Sequence, residues 1–152
     1  QLCKYLCEFE RVAYDSLEEG DSLTMQNTLK RYGMSEVNKS FYLLNGENMR
    51  ELSDRLDKRK SVNIVVVDSF QYTQMNYREY IFKEAHRDKL IIFISHAQGK
   101  APRGSAAQSV MYDATLKIWV EGFKAFSKGR FIGEKGEYTI WDEGANRYWG
   151  DD

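Results

Sequence analysis

The sequence predicts an α/β fold with a mostly parallel sheet, on three observations. Two short apolar runs, Asn63-Ile64-Val65-Val66-Val67-Asp68-Ser69 and Leu90-Ile91-Ile92-Phe93-Ile94-Ser95-His96, read as buried parallel strands. Neither alternates apolar with polar, as a strand covered on both faces would not. Strand-like and helix-like segments take turns along most of the chain, which argues for a parallel sheet flanked by helices. Beyond Gly122 the pattern changes to short β segments around a glycine-punctuated basic turn, which predicts a C-terminal antiparallel hairpin.

At 152 residues the chain is long enough for one domain with a substantial core. Apolar residues make up 42% and charged residues 30%, ordinary values for a globular protein. A net charge of −1 gives no global attraction to nucleic acid or to a membrane surface, so any nucleic-acid contact rests on a local patch. Cys3 and Cys7 stand i,i+4 on one helix face. Without further ligands they form a poor zinc site and read as buried free thiols in a reducing cytoplasm. No run approaches the roughly 20 apolar residues of a membrane helix, and no signal peptide is visible. The chain starts at Gln1 without Met, and its N-terminus reads as cut, a domain truncated ahead of its first strand.

Taken in order, Leu2, Tyr5, Leu6 and Phe9 follow helical spacing. Residues 12–17 read as a short strand, after which Asp21 or Ser22 can cap a helix over residues 23–32 that Gly33 ends. Residues 41–44 form a second strand, Asn45-Gly46 a turn, and residues 47–60 a charged helix with Met49, Leu52 and Leu56 as its apolar stripe. The central strand, 62–69, leads through a polar loop to a helix over 77–87, and His86 falls on that helix's solvent side near its end. The strand at 90–95 follows. Residues 98–109 hold Pro102, Gly99 and Gly104 and read as a loop. A strand at 114–120 and β segments at 123–126 and 137–141 complete the chain. The aromatics Trp119, Trp141, Tyr148 and Trp149 read as sheet and edge packing.

In an open α/β sheet, ligands bind beyond the carboxyl ends of the strands. Three such ends carry candidate groups: Glu18 or Glu19, Asp68, and His96. A metal-side acid, a second carboxylate and a polar sensor on one edge are what phosphoanhydride hydrolysis needs. Magnesium takes hard oxygen ligands, largely through water. The attacking water needs a group to orient it, and the terminal phosphate a donor that registers it. Plainer roles stand beside these. Asp68 can bond a loop, Glu18 and Glu19 can be first-turn acids of a helix, and His96 can be an ordinary loop histidine. Lys100, Arg103 and Arg130 can be solvated surface charges.

The arrangement resembles the RecA/DnaB-like branch of P-loop ATPases over nearly the whole chain. Ser16-Leu17-Glu18-Glu19 is similar to the Ser-Leu-Glu turn of replicative hexameric helicases, and residues 64–68 match the Walker B strand. Met111-Tyr112-Asp113-Ala114 looks like the segment that enters a strand after the family's second DNA-facing loop. Lys128-Gly129-Arg130, followed by Gly133 and Gly136, is similar to the Lys-x-Arg hairpin of DnaB-type helicases. Ser-Leu-Glu-Glu-Gly and Ser-His-Ala…Gly-Lys also resemble RecA-like ATPases of phages and mobile elements. Where the family places Ser-Gln or Asn-Gln, this chain has Ser95-His96. Imidazole can donate the same hydrogen bond and adds a titratable group.

The resemblance implies a RecA-like sheet and an ATPase acting in DNA recombination, repair or replication, with ATP and Mg2+ as its nucleotide and metal. Glu18 is implied as the catalytic carboxylate and His96 as the γ-phosphate sensor. Asp68 is implied on the magnesium side, with Ser69 and Glu19 nearby on the nucleotide. Arg130 is implied as an arginine finger reaching a neighbouring subunit of a homo-oligomer, assisted by Lys128. The residues implied to face single-stranded DNA through its backbone are Gln71, Lys100 and Arg103. Yet no G-x-x-x-x-G-K-[ST] loop occurs in the 152 residues, and Gly99-Lys100 lacks the context to replace it. On its own, then, the chain is expected to hydrolyse ATP poorly or not at all. A non-catalytic binding or assembly module derived from the same fold is the alternative. A small nuclease using Glu18 and Asp68 is a more distant one.

Overall fold

The computed structural model describes residues 1–76, 82–130 and 136–150. Its main body is a four-stranded, all-parallel sheet of β1 (Val12–Ser16), β2 (Phe41–Leu44), β3 (Ile64–Asp68) and β4 (Leu90–Ile94), in the order β2-β1-β3-β4. The helices beside it are α1 (Leu2–Leu6), α2 (Leu23–Arg31), α3 (Met49–Leu56), α4 (Phe82–Ala85) and α5 (Ser105–Asp113). A separate antiparallel sheet near the C-terminus joins β7 (Leu116–Glu121), β8 (Lys124–Gly129) and β9 (Glu137–Thr139), with α6 (Asp142–Trp149) following. The predicted α/β class, parallel sheet and C-terminal antiparallel element are all present. None of the described helices is long and apolar enough to cross a membrane.

The central strand explains its own composition. Val65, Val66 and Val67 are each 0% exposed, because β3 lies between β1 and β4 and both of its faces are covered. On one face Ala13, Val65 and Val67 pack with Leu52 and Leu56 of α3 and with Phe82 of α4. On the other, Val12, Ile64 and Val66 are covered by Cys3, Leu6 and Cys7. Both cysteines are free, and burial pushes the Cys3 thiol up to about 11, so it is an apolar packing group at neutral pH. Apolar area removed from water at about 25 cal/mol per Å2 holds these layers together.

Local signals set the ends of the helices. The Ser22 side chain accepts from Met25 N at 3.2 Å and starts α2, and Gly33, in the left-handed region at φ 61°, follows its end. Asn48 accepts from Arg50 N and Glu51 N while Glu51 accepts from Asn48 N, a complete capping box at the start of α3. That helix is shorter than predicted: Met49–Leu56 instead of 47–60.

Four further expectations are corrected. Residues 98–109 are not a loop: β5 (Ala97–Gln98) and β6 (Ala101–Pro102) form a small antiparallel hairpin, and α5 starts at Ser105. Met111, Tyr112 and Asp113 therefore close a helix, and the strand that follows, β7, starts at Leu116 rather than at 114. His86 is 2% exposed rather than solvent-facing, with its Nε2 2.9 Å from Ser53 Oγ and its ring beside Phe82. The last strand ends at Thr139 instead of 141, and Trp141 is the N-cap residue of α6; Trp149 on that helix meets Phe126 of β8 edge-on, in the packing role expected of it. Of the predicted helix over 77–87, residues 77–81 lie outside the described ones, as do residues 131–135 of the basic turn.

Candidate functional site at the carboxyl edge of the sheet

Parallel register decides which groups can meet. Ser16 lies opposite Asp68, and Asp68 opposite Ile94, so β1, β3 and β4 finish level and their following residues share one edge. Glu18 lies in the turn after β1, Ser69 just after β3, and His96 two residues after β4. The imidazole Nε2 of His96 is 3.2 Å from Glu18 Oε2 and 3.4 Å from the hydroxyl of Ser69. Ser69 is fully buried, while the Glu18 and His96 side chains are 44% and 40% exposed. A carboxylate and an imidazole in contact, open to solvent above and anchored on a buried hydroxyl below, can exchange a proton with a bound water.

Asp68 is organised separately. Its Oδ2 accepts a hydrogen bond from the Tyr14 hydroxyl, and the Asp68–Ser69 peptide bond is cis. Burial, and then the bond to Asp68, hold the Tyr14 phenol well above its ordinary range, so Tyr14 stays a donor at any physiological pH. Among the described residues no hydrogen bond or ion pair joins Asp68 to Glu18 or His96. Within β3, Asp68 lies on the face of Ile64 and Val66, where Tyr14 meets it, whereas Glu18, Ser69 and His96 meet beyond the strand ends. Glu19 is exposed in the turn after Glu18, on the side where its charge reaches Tyr14.

Among the described residues no group of three or more His, Cys, Asp or Glu is arranged to hold a metal ion. A single carboxylate fits only an ion that keeps most of its ligands as water and phosphate oxygen, the habit of magnesium bound with a nucleotide. Asp68 fits that role; a nucleotide-free cation site does not fit.

Gln71, Tyr72, His96 and Arg103 line an open hollow of about 340 Å3 beside the Glu18–His96 pair. The Gln71 carboxamide is engaged within the chain. Its Nε2 donates to Ser95 Oγ at 2.8 Å and to the Arg103 carbonyl at 2.9 Å, and its Oε1 accepts from His96 N at 3.1 Å. Lys100 sits exposed at the tip of the β5–β6 hairpin, and Arg103 is exposed at its base. Lys128 is exposed on β8, opposite Lys117. The Arg130 guanidinium donates to the Tyr112 carbonyl at 3.4 Å, at the end of α5, where a cation suits the helix dipole. No hydrogen bond or ion pair joins Lys128 or Arg130 to Glu18, Asp68 or His96 among the described residues.

Two residues of this edge escaped sequence reasoning. Tyr14 carries a usable signal, since it precedes Ser16 by two on the same strand face, diagonal to Asp68 across the β1–β3 pair. Asp15 gives no such hint. It is 0% exposed, its Oδ1 accepts from Glu47 N at 3.0 Å, and its Oδ2 has no hydrogen-bond partner among the described residues. Neither a scan against protein-family models nor a search of curated proteins finds a match for this chain.

Proposed function

We propose that this chain carries the strand-edge half of an Mg·ATP site, within an ATPase of the RecA/DnaB-like class that acts on DNA in the cytoplasm. The observation that supports it most is the meeting of Glu18, Ser69 and His96 across three parallel strand ends, with His96 Nε2 3.2 Å from the Glu18 carboxylate. In this reading Glu18 orients the attacking water and takes its proton. His96 registers the terminal phosphate and steadies the Glu18 carboxylate between turnovers. Asp68, fixed by Tyr14, holds the hydrated magnesium. The metal, when bound with nucleotide, neutralises charge on the phosphates. Lys100 and Arg103 face the backbone of single-stranded DNA, and Arg130 with Lys128 completes the site of an adjacent subunit.

The phosphate cradle itself must come from a segment other than these 152 residues, which contain no P-loop sequence. The sheet has room for it. β4 is apolar throughout, pairs only with β3 among the described strands, and leaves Leu90 and Ile94 exposed. It lacks the lysine, proline or bulge that usually protects an edge strand. A strand added there in parallel would end beside His96.

A specific observation favours a second reading, that of an assembly module. Leu116, Ile118 and Val120 are 46%, 53% and 60% exposed on one face of β7, an apolar surface suited to a protein partner.

The two readings separate in a mixing experiment on the full-length gene product. Under the ATPase reading, Asp68→Ala and Arg130→Ala each abolish DNA-stimulated phosphate release, and mixing the two variants restores part of it. Restoration is expected because a mixed interface can pair an intact Asp68 with an intact Arg130. Native-level release by either variant alone would overturn the assignment. Failure of the native protein to bind Mg·ATP would favour the assembly module.

A further inference from the structure

We propose that Gln71 is a positioning residue that ties the Lys100/Arg103 hairpin to His96, so that a ligand on the hairpin is felt at the Glu18–His96 pair. The inference rests on the ATPase reading above and extends it to how the two faces of the site communicate. Its basis is a closed hydrogen-bond circuit. Arg103 N donates to the His96 carbonyl at 2.8 Å and closes the neck of the β5–β6 hairpin. Gln71 reaches that neck from the 3-10 turn Phe70–Thr73, which follows β3. Its carboxamide holds both sides at once: Oε1 accepts from His96 N, and Nε2 donates to Ser95 Oγ and to the Arg103 carbonyl. The Ser95 hydroxyl in turn donates to the His96 carbonyl at 3.1 Å.

The amide groups of His96 are therefore fixed by Gln71, Ser95 and Arg103 together, while its ring faces Glu18, Ser69 and the edge of Tyr72. A displacement of Arg103 strains two links to the His96 backbone at once, its own bond to the His96 carbonyl and the Gln71 bridge. Gln71 touches no reacting group itself and acts only through His96. The turn that carries it is anchored by Phe70, 4% exposed in a small core with Met75, Ala107 and Val110 of α5. The strut thus moves against a fixed base.

The chain has two histidines, which makes the test direct. His86, buried against Ser53 and Phe82, reports the integrity of the fold; His96 reports the coupling. The ring signals of both would be followed by NMR while short oligothymidylate is added to saturation, in the native chain, in Gln71→Leu and in Gln71→Glu. The glutamate variant keeps the acceptor for His96 N and loses the donor to Ser95 and Arg103, so it cuts the tie on the hairpin side alone. The expected result is that oligothymidylate shifts the His96 signal in the native chain, that the shift falls at least several-fold in both variants at saturation, and that His86 stays in place throughout. A His96 response of native size in Gln71→Glu, with His86 unmoved, would overturn the role of Gln71 while leaving the nucleic-acid reading intact. Failure of the native chain to bind oligothymidylate would overturn the nucleic-acid reading and the coupling with it.

Discussion

Asp15 shows how a single buried side chain sets a pH dependence for the whole fold. Burial pushes its carboxyl up from 3.8 to about 6, against the lowering influence of backbone bonds from Glu47 and Gly46 and the charge of Arg55. Arg55 is itself bonded through Nε to both Glu47 oxygens, at 3.0 and 2.9 Å, so its charge is shared. Between roughly pH 4 and pH 6 the folded chain holds this proton more tightly than the unfolded chain does. Stability is therefore fully present below that window and declines as pH rises through it. Asp15→Asn keeps an oxygen for Glu47 N and cannot ionise. It is expected to be more stable than the native chain at pH 7 by on the order of 2 kcal/mol, with the difference vanishing near pH 4. Urea unfolding across that range checks this, and an equal pH dependence in both proteins would exclude Asp15 as its source. Asp15 could not have been found from sequence, since an acid in a short strand is ordinarily taken for a solvent-facing position. Glu18 and His96 were legible because each stands just past an apolar strand, and parallel strands of one sheet deliver their ends to one edge.

At the level of elements, legibility followed the strength of the local signal. β3 was readable as a buried strand because an uninterrupted Ile-Val-Val-Val run has no other stable place in an α/β protein. α3 was readable from its Met49, Leu52 and Leu56 spacing, though charged residues at both ends carried the prediction past the real boundaries. Asn48 and its reciprocal bond with Glu51 fix the true start. Asn48→Ala should cost about 1 kcal/mol of stability, measured as a lower urea midpoint with the slope unchanged; no change would mean that packing of Leu52 and Leu56 alone sets the helix. α6 was missed for a tertiary reason. Gly144 in its first turn lowers helix propensity, yet a Cβ there would collide with the rings of Trp141 and Phe123. Likewise a Cβ at Gly122 would meet Tyr148 and Trp149. Close packing of α6 on the β7–β8 turn selects these glycines, and no local rule registers such contacts. The β5–β6 hairpin escaped because two-residue strands carry no period.

At the scale of the whole molecule, one sheet edge stands with two surfaces beside it. Groups that can handle a water and a phosphate stand at the carboxyl ends of β1, β3 and β4. A short hairpin bearing Lys100 and Arg103 is bolted to that edge through Gln71. The apolar edge of β4 lies next to the same groups. Under the proposed function these features are parts of one nucleotide-driven device, in which Glu18 performs the chemistry. The most direct measurement is the turnover number and Mg·ATP affinity of Glu18→Gln beside the native full-length gene product, with single-stranded DNA present. The account predicts that Mg·ATP still binds with an affinity within a few-fold of native, while turnover falls by on the order of 10²–10⁴-fold, the usual contribution of a positioned general base. Turnover unchanged in Glu18→Gln would contradict it and leave the Glu18–His96 contact a structural pair.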